Sequence, residues 1–219
     1  YLNDIQALAV SERHYNDAYE AATTDVASGS VGAGRGMSCF DLKGGIGNAS
    51  RIVDVAGQRY TVGALVLANF GRLPMLTIDG TPLGRILAER ATRATLKPEQ
   101  GSIIMIVATD APLDARQLRR LSLRAAAGLA RTGSVYGHGS GDIALAFSTA
   151  YTLPHESDFV ALPPVLADAR LDPLFRACAD SVEQAIVDAL WCATSVTGRD
   201  GHRRLSLHDT APDLAQLLN

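Results

Sequence analysis

Residues 103–108 read IIMIVA, six apolar residues in succession and mostly β-branched. A run without polar alternation predicts a strand covered on both faces, so this chain must stack other layers against it. The run is opened by a hydroxyl residue, Ser102, which follows the charged, proline-containing and glycine-terminated segment Lys97 to Gly101. At 219 residues and 47% hydrophobic, the chain can bury a substantial core as one domain.

The flanking patterns supply the layers. Asp114 caps a predicted helix whose buried stripe is Leu118, Leu121, Ala125 and Leu129, with Gly133 as the stop signal. GSGDIALAFST (139–149) resumes as a strand. After the proline-rich connection Leu153 to Pro164, Asp172-Pro173 opens the longest helix, with Phe175, Cys178, Val182, Ile186 and Leu190 facing inward and Gly198 closing it. A short helical tail follows Asp209. Upstream, residues 4–22 carry helical spacing. A glycine-dense stretch (29–47) then brackets the alternating residues Met37 to Leu42, and residues 50–71 form a hairpin about Ala56-Gly57-Gln58. A further helix is expected over 82–95. Helices flanking two groups of strands predict an α/β (α+β) fold with four layers ordered α-β-β-α.

Composition removes several classes of function. A net charge of −3, a pI near 5.9 and arginines scattered among acids give no phosphate-binding stripe, so nucleic acid is not an expected partner. No apolar run approaches the roughly 20 residues of a membrane helix. Cys39, Cys178 and Cys192 match no zinc or redox spacing and read as buried small hydrophobes. Dispersed histidines and the lack of a His-Glu-x-x-His pattern leave a catalytic metal unsupported. Lys43 with Gly44, Gly45 and Gly47 fits neither phosphate-binding fingerprint. His138 reads as a turn histidine and Asp110 as an aspartate ordering the turn after its strand. The chain opens at Tyr1 without methionine, from which a missing N-terminal portion is expected; cytoplasmic and periplasmic locations both stay open.

The plainest reading of Ser102 is the end of a loop. The other follows from the exposed, cleavable look of Lys97–Gly101. If the Gly101–Ser102 bond is cut, Ser102 gains an α-amine beside its hydroxyl, and an amine titrating near 7.7–8.0 serves as general base near neutral pH. One residue then supplies both nucleophile and base, the logic of acyl transfer by N-terminal nucleophile hydrolases.

Six segments carry a resemblance across nearly the whole chain: VGAGRGM with KGGIGNASR (31–37, 43–51), LVLANFG (65–71), GSIIMIVATDAPL (101–113), GSGD (139–142) and TGRDGH (197–202). In that order they resemble the L-aminopeptidase / D-amino-acid esterase-amidase family, which includes the β-peptidyl aminopeptidases. The resemblance implies an N-terminal nucleophile hydrolase fold in a single catalytic domain and self-cleavage between Gly101 and Ser102. Residues 1–101 would then be the remainder of a longer first chain and 102–219 the second. It implies Ser102 as nucleophile, Ser140 and Asp142 as proton relay and orienters of the α-amine, Asn69 as oxyanion donor, and Tyr1 lining the substrate site. It further implies short peptide, amide or ester substrates, D- or β-amino acid derivatives among them. No cofactor is expected, and assembly is expected to be a homo-oligomer of processed heterodimers.

The chain departs from that family pattern at three places, and the first two bear on substrate preference. Arg35 and Asn48 stand where the family usually has threonine, and Thr194-Ser195 replaces its usual glutamate before the last Thr-Gly stretch. Arg35 either narrows the pocket, binds a substrate carboxylate or faces outward. Two other functions remain open: acyl transfer of the ornithine acetyltransferase type, which uses threonine at the Ser102 position, and an inactive relative kept as a structural subunit.

Overall fold

A computed structural model describes residues 1–90 and 101–218. Its centre is one four-stranded sheet made of β3 (Gly45–Val55), β4 (Gln58–Asn69), β5 (Ser102–Thr109) and β6 (Ile143–Ser148), in that order. The predicted hairpin is β3–β4, antiparallel from Gly45↔Ala68 to Val55↔Gln58. Its turn needs left-handed backbone at Ala56 and Gly57, the two residues between the strands. β5 runs antiparallel to β4 and parallel to β6, so the β5–β6 connection crosses over through α3 (Ala115–Arg131).

Helix α3 starts as the sequence predicts. Asp114 accepts the backbone N–H of Gln117 at 2.7 Å, and the Gln117 side chain returns to the Asp114 backbone N–H. The long helix α4 (Asp172–Trp191) buries Phe175, Cys178, Val182, Ile186 and Leu190 as expected, although it stops at Trp191 and not at Gly198. Both helices cover one face of the sheet, whose contribution to the core is Tyr60, Val62, Ala64, Val66 and Ala68 of β4 and Ile103, Met105 and Val107 of β5. α4 sits unusually close: a Cβ at Gly47 would lie 1.9 Å from the Ala185 carbonyl oxygen, and Ser181 donates to the Val62 carbonyl at 3.1 Å. α3 in turn abuts α4, where a Cβ at Gly128 would lie 2.4 Å from the Ala179 carbonyl oxygen.

Here the expectation for the central strand needs correction. Burial alternates along β5, with Ile103, Met105 and Val107 covered but Ile104 exposed. Ile52, Ile143, Leu145 and Phe147 share that second face and are exposed as well, Ile143 and Leu145 each by 58%. Among the described residues no helix covers it, so they form one sheet layer and the helices on its other face.

Other expectations meet the structure unevenly. The helix read over 4–22 is a 3₁₀ turn, Ile5–Ala7, and a separate α1 (Glu12–Glu20) in which no residue is buried. Left-handed Leu8 lies between the two. Met37–Leu42 folds as a tight hairpin, β1 (Ser38–Cys39) and β2 (Leu42–Lys43), about left-handed Phe40 and Asp41. α2 (Leu83–Arg90) forms, while residues 91–95 of the 82–95 expectation, and all but Gly101 of the segment Lys97 to Gly101 expected to be exposed and cleavable, fall outside the described residues. Cys39 and Cys178 are buried, but Cys192 is exposed at the end of α4. Asp110 ties its strand back to β4 by accepting the Thr61 N–H at 2.7 Å, in place of ordering the turn that follows. A two-stranded ribbon, β7 (Val196–Thr197) with β8 (Arg203–Arg204), precedes the short helices α5 (Leu207–Thr210) and α6 (Leu214–Leu217) of the predicted tail. No helix among the described residues is long and apolar enough to cross a membrane.

The close seat of α4 yields a stability test. Gly47→Ala is expected to destabilise the fold by about 1–3 kcal/mol, because backbone on both sides must move to admit one methyl group. Urea unfolding followed by circular dichroism measures it, and an unchanged midpoint would contradict this packing.

Candidate active site

The ends of β4 and β5 meet at Asn69↔Ser102, the last pair of their antiparallel ladder. Both residues fall on the uncovered face, because they share the side-chain phase of Leu67 and Ile104. Residue 101 continues β5 backwards as a parallel bridge to Ser140, which brings the loop before β6 alongside. The sheet thus assembles four of the predicted residues (Asn69, Ser102, Ser140 and Asp142) at one rim.

Position 101 admits only glycine. Its φ is +127°, and a Cβ there would lie 2.0 Å from the carbonyl oxygen of Asn69. The following Ser102 hydroxyl donates to the Gly101 carbonyl at 2.7 Å and accepts the Gly141 N–H at 3.0 Å. A Cβ at Gly141 would come within 3.3 Å of that hydroxyl oxygen, a tight contact. Asp142 Oδ1 accepts two bonds, a short one from the Ser140 hydroxyl and one from the Ile103 N–H at 3.2 Å. The carboxylate therefore reaches the residue next to Ser102.

Across the ladder, Asn69 Oδ1 accepts the Ser38 N–H at 3.0 Å. A backbone N–H can only donate, so this bond fixes which end of the amide is oxygen. Nδ2 is left as a donor with no partner among the described residues, opposite Ser102. An unpaired amide donor beside a hydroxyl is what an acyl-transfer site requires for the oxygen that becomes negative.

Tyr1 sits further out. Its ring stacks on His202 with centroids 4.4 Å apart, and the Arg204 guanidinium lies 3.9 Å from its centroid. Arg204 Nε donates to the Ser38 hydroxyl at 3.1 Å, so Tyr1 joins the Asn69 side of the site through two intermediaries. Arg35 is exposed on the 3₁₀ turn Gly32–Gly36. Asn48 lies on the same sheet face as Ser102, and its amide donates to Ser28 Oγ at 2.8 Å while its N–H donates to Asp188. At the third departure, Ser195 donates to Asp209, while the Thr194 backbone exchanges two bonds with the Ser30 hydroxyl. His138 is exposed in a turn and makes no bond to Ser102.

Sequence reasoning missed three groups. Tyr136, in a left-handed conformation before GHGSGD, has its phenol pushed up to about 12, first by burial and then by the Asp142 charge, so it remains a protonated donor near the carboxylate. Ser38 supplies the N–H that orients Asn69. Lys43, considered above only for phosphate, is fully buried with its ammonium on three backbone carbonyls. Its signal was a lone lysine embedded among Leu and Gly. Two surface hollows of about 480 and 380 Å³, one beside Met75 and Gly133 and one beside Arg51 and Asp180, include none of these residues. The site lies open on the sheet rim.

Gly101→Ala is expected to shift Ser102 away from Asn69 and to cost about 1–3 kcal/mol of stability, since the left-handed φ and the close carbonyl both oppose a side chain. Thermal unfolding together with intact mass of the chain checks it.

Residues 1–204 match peptidase family S58. The chain is 41% identical over 215 residues to the beta-peptidyl aminopeptidase BapA of Sphingosinicella microcystinivorans, covering 92% of this chain and 54% of that protein. The chain spans about half the length of the curated relatives it matches. Among solved structures, the PH0078 protein from Pyrococcus horikoshii OT3 superposes with a TM-score of 0.92 at 49% identity, over 100% of this chain and 59% of that one. The L-aminopeptidase D-Ala-esterase/amidase from Ochrobactrum anthropi superposes at 0.85 with 35% identity, over 98% and 61%, and is described as a new variant among the Ntn hydrolase fold.

Proposed function

The chain belongs to peptidase family S58, and from that footing we propose that it carries the nucleophile of a self-processing serine aminopeptidase. The observation that carries the reading is the Asn69↔Ser102 pair, in which a hydroxyl on the first residue of a strand faces an amide donor held by its oxygen.

In the first step the Ser102 hydroxyl attacks the Gly101 carbonyl carbon. The Gly101–Ser102 C–N bond breaks, an ester forms on Oγ and the α-amine takes up a proton; water then hydrolyses the ester. This gives residues 1–101 and 102–219 as partners. The 2.7 Å contact between hydroxyl and carbonyl supports it, as does the glycine-only backbone immediately before it. In turnover, the free α-amine removes the hydroxyl proton as Oγ attacks the carbonyl of the substrate's N-terminal residue. Asn69 Nδ2 donates to the oxygen as it gains charge, the amine or alcohol leaves with that proton, and water releases the acid from Oγ. Ser140 passes protons, and Asp142, already bonded to Ser140 and to the Ile103 N–H, orients the α-amine. Tyr1, fixed between His202 and Arg204, lines the pocket for the substrate.

Short peptides, amides and esters are the proposed substrates, with D- and β-residues among the acyl groups, as the names of the relatives suggest. Assembly as an oligomer of processed heterodimers is part of the proposal. Acyl transfer is not favoured, since the matching relatives are aminopeptidases and the nucleophile position holds serine.

Intact mass spectrometry of the full-length protein is expected to show two fragments divided after Gly101, and Ser102→Ala a single chain. An undivided wild-type protein that nonetheless releases p-nitroaniline from aminoacyl p-nitroanilides would overturn the proposal. Asn69→Ala is expected to lower kcat by about 10²–10³ with little change in KM, as loss of one oxyanion donor does elsewhere.

A further inference from the structure

Lys43 is wholly buried, and no carboxylate contacts it among the described residues. Its three N–H donors meet three backbone carbonyls: Gly34 at 2.6 Å, Gly44 at 2.7 Å and Met37 at 2.8 Å. A buried cation with this arrangement is costly unless every donor is used, and here every donor is. Its own N–H is tied to the Leu205 carbonyl at 2.7 Å, which anchors β2 to the segment after β8.

The Met37 carbonyl and the Ser38 N–H belong to one planar peptide group. Lys43 holds its oxygen, and its nitrogen holds Asn69 Oδ1 at 3.0 Å. A positive charge on the carbonyl side polarises that peptide and makes its N–H a stronger donor. The line runs from ammonium to carbonyl, through the amide, to the side-chain oxygen, and ends at Nδ2. Gly44 N donates to the same Met37 oxygen at 3.1 Å, so the carbonyl cannot swing away.

We propose that Lys43 is a positioning residue for Asn69: its ammonium locks and polarises the Met37–Ser38 peptide, which keeps the Asn69 amide turned with Nδ2 free for the carbonyl oxygen under attack. The inference rests on the reading of Asn69 as the oxyanion donor. It explains why a charge is retained in an apolar and glycine-rich setting where a neutral residue would be less costly to bury.

Titration adds a second handle. Burial, reinforced by nearby Arg35, pulls the Lys43 ammonium down to about 8 despite an opposing effect of Cys39. Arg204 from β8 reaches the same peptide from the other side, through the Ser38 hydroxyl. Above that pH the neutral amine has two donors for three carbonyls and no charge, so the hold on Met37 weakens while the fold stays intact.

The test is a double-mutant cycle in the full-length, processed protein. Lys43→Met is expected to lower kcat on the order of 10-fold, the scale of one charged hydrogen bond, with KM nearly unchanged. In an Asn69→Ala background the same substitution is expected to do almost nothing further. Fully multiplicative losses, or a wild-type kcat in Lys43→Met, would overturn the inference. Wild-type turnover in Asn69→Ala would instead overturn the reading on which it rests. Should Lys43→Met fail to fold, the pH profile decides: kcat of the wild type is expected to fall above pH about 8, and that of Asn69→Ala is not. The same alkaline limb in both, or in neither, counts against Lys43.

Discussion

The antiparallel register between β4 and β5 is the constraint from which the site follows. Because Asn69 pairs with Ser102, every residue back to Val62↔Thr109 is fixed in phase, and a slip of β5 by one would turn the Ser102 hydroxyl into the helix-covered core, away from Asn69. The pattern guards against that slip. Ile103, Met105 and Val107 must face α3 and α4, so Ser102 must face away. The core and the chemistry are two readings of one alternation, and neither can be moved without the other.

Glycine handles what alternation cannot. Residue 101 needs both a left-handed φ and the space next to the Asn69 carbonyl, and a Cβ at residue 141 would sit tightly against the Ser102 hydroxyl. Elsewhere the same economy seats α4 on β3 at Gly47. The acidic and hydroxyl groups, in contrast, are held by ordinary hydrogen bonds of the loop before β6, with Asp142 spanning Ser140 and the start of β5.

Much of this was legible in the sequence. Alternation along 50–71, the Asp114 cap with Gln117, and the inward stripe of α4 are local patterns, and local physics honours them. The residues at the rim were found through ordered motifs that match a family, not through periodicity. What stayed hidden was long-range. The uncovered side of β5 is not visible in an unbroken apolar run, because such a run looks alike whether one face or two are covered. The role of Lys43 depends on Gly34, Met37 and Gly44 carbonyls converging on one point, and carbonyl direction leaves no trace in residue type. Spacing on 4–22 is helical, but no partner surface buries it, and only a 3₁₀ turn and the short α1 form there. Asn48, a departure from the family's usual threonine, ties β3 to Ser28.

The exposed row of Ile52, Ile104, Ile143, Leu145 and Phe147 bears on how an enzyme of the proposed kind would diversify. The proposed reacting groups sit at the margin of that row, held by the β4–β5 register, by the Ser38 N–H and by the loop before β6. On the proposed reading, a layer closing over the row would contribute the remaining walls of the pocket. Bond-breaking and side-chain selection would on that reading be lodged in different storeys of one building, so the upper one could be remodelled for new substrates while the lower one kept its register.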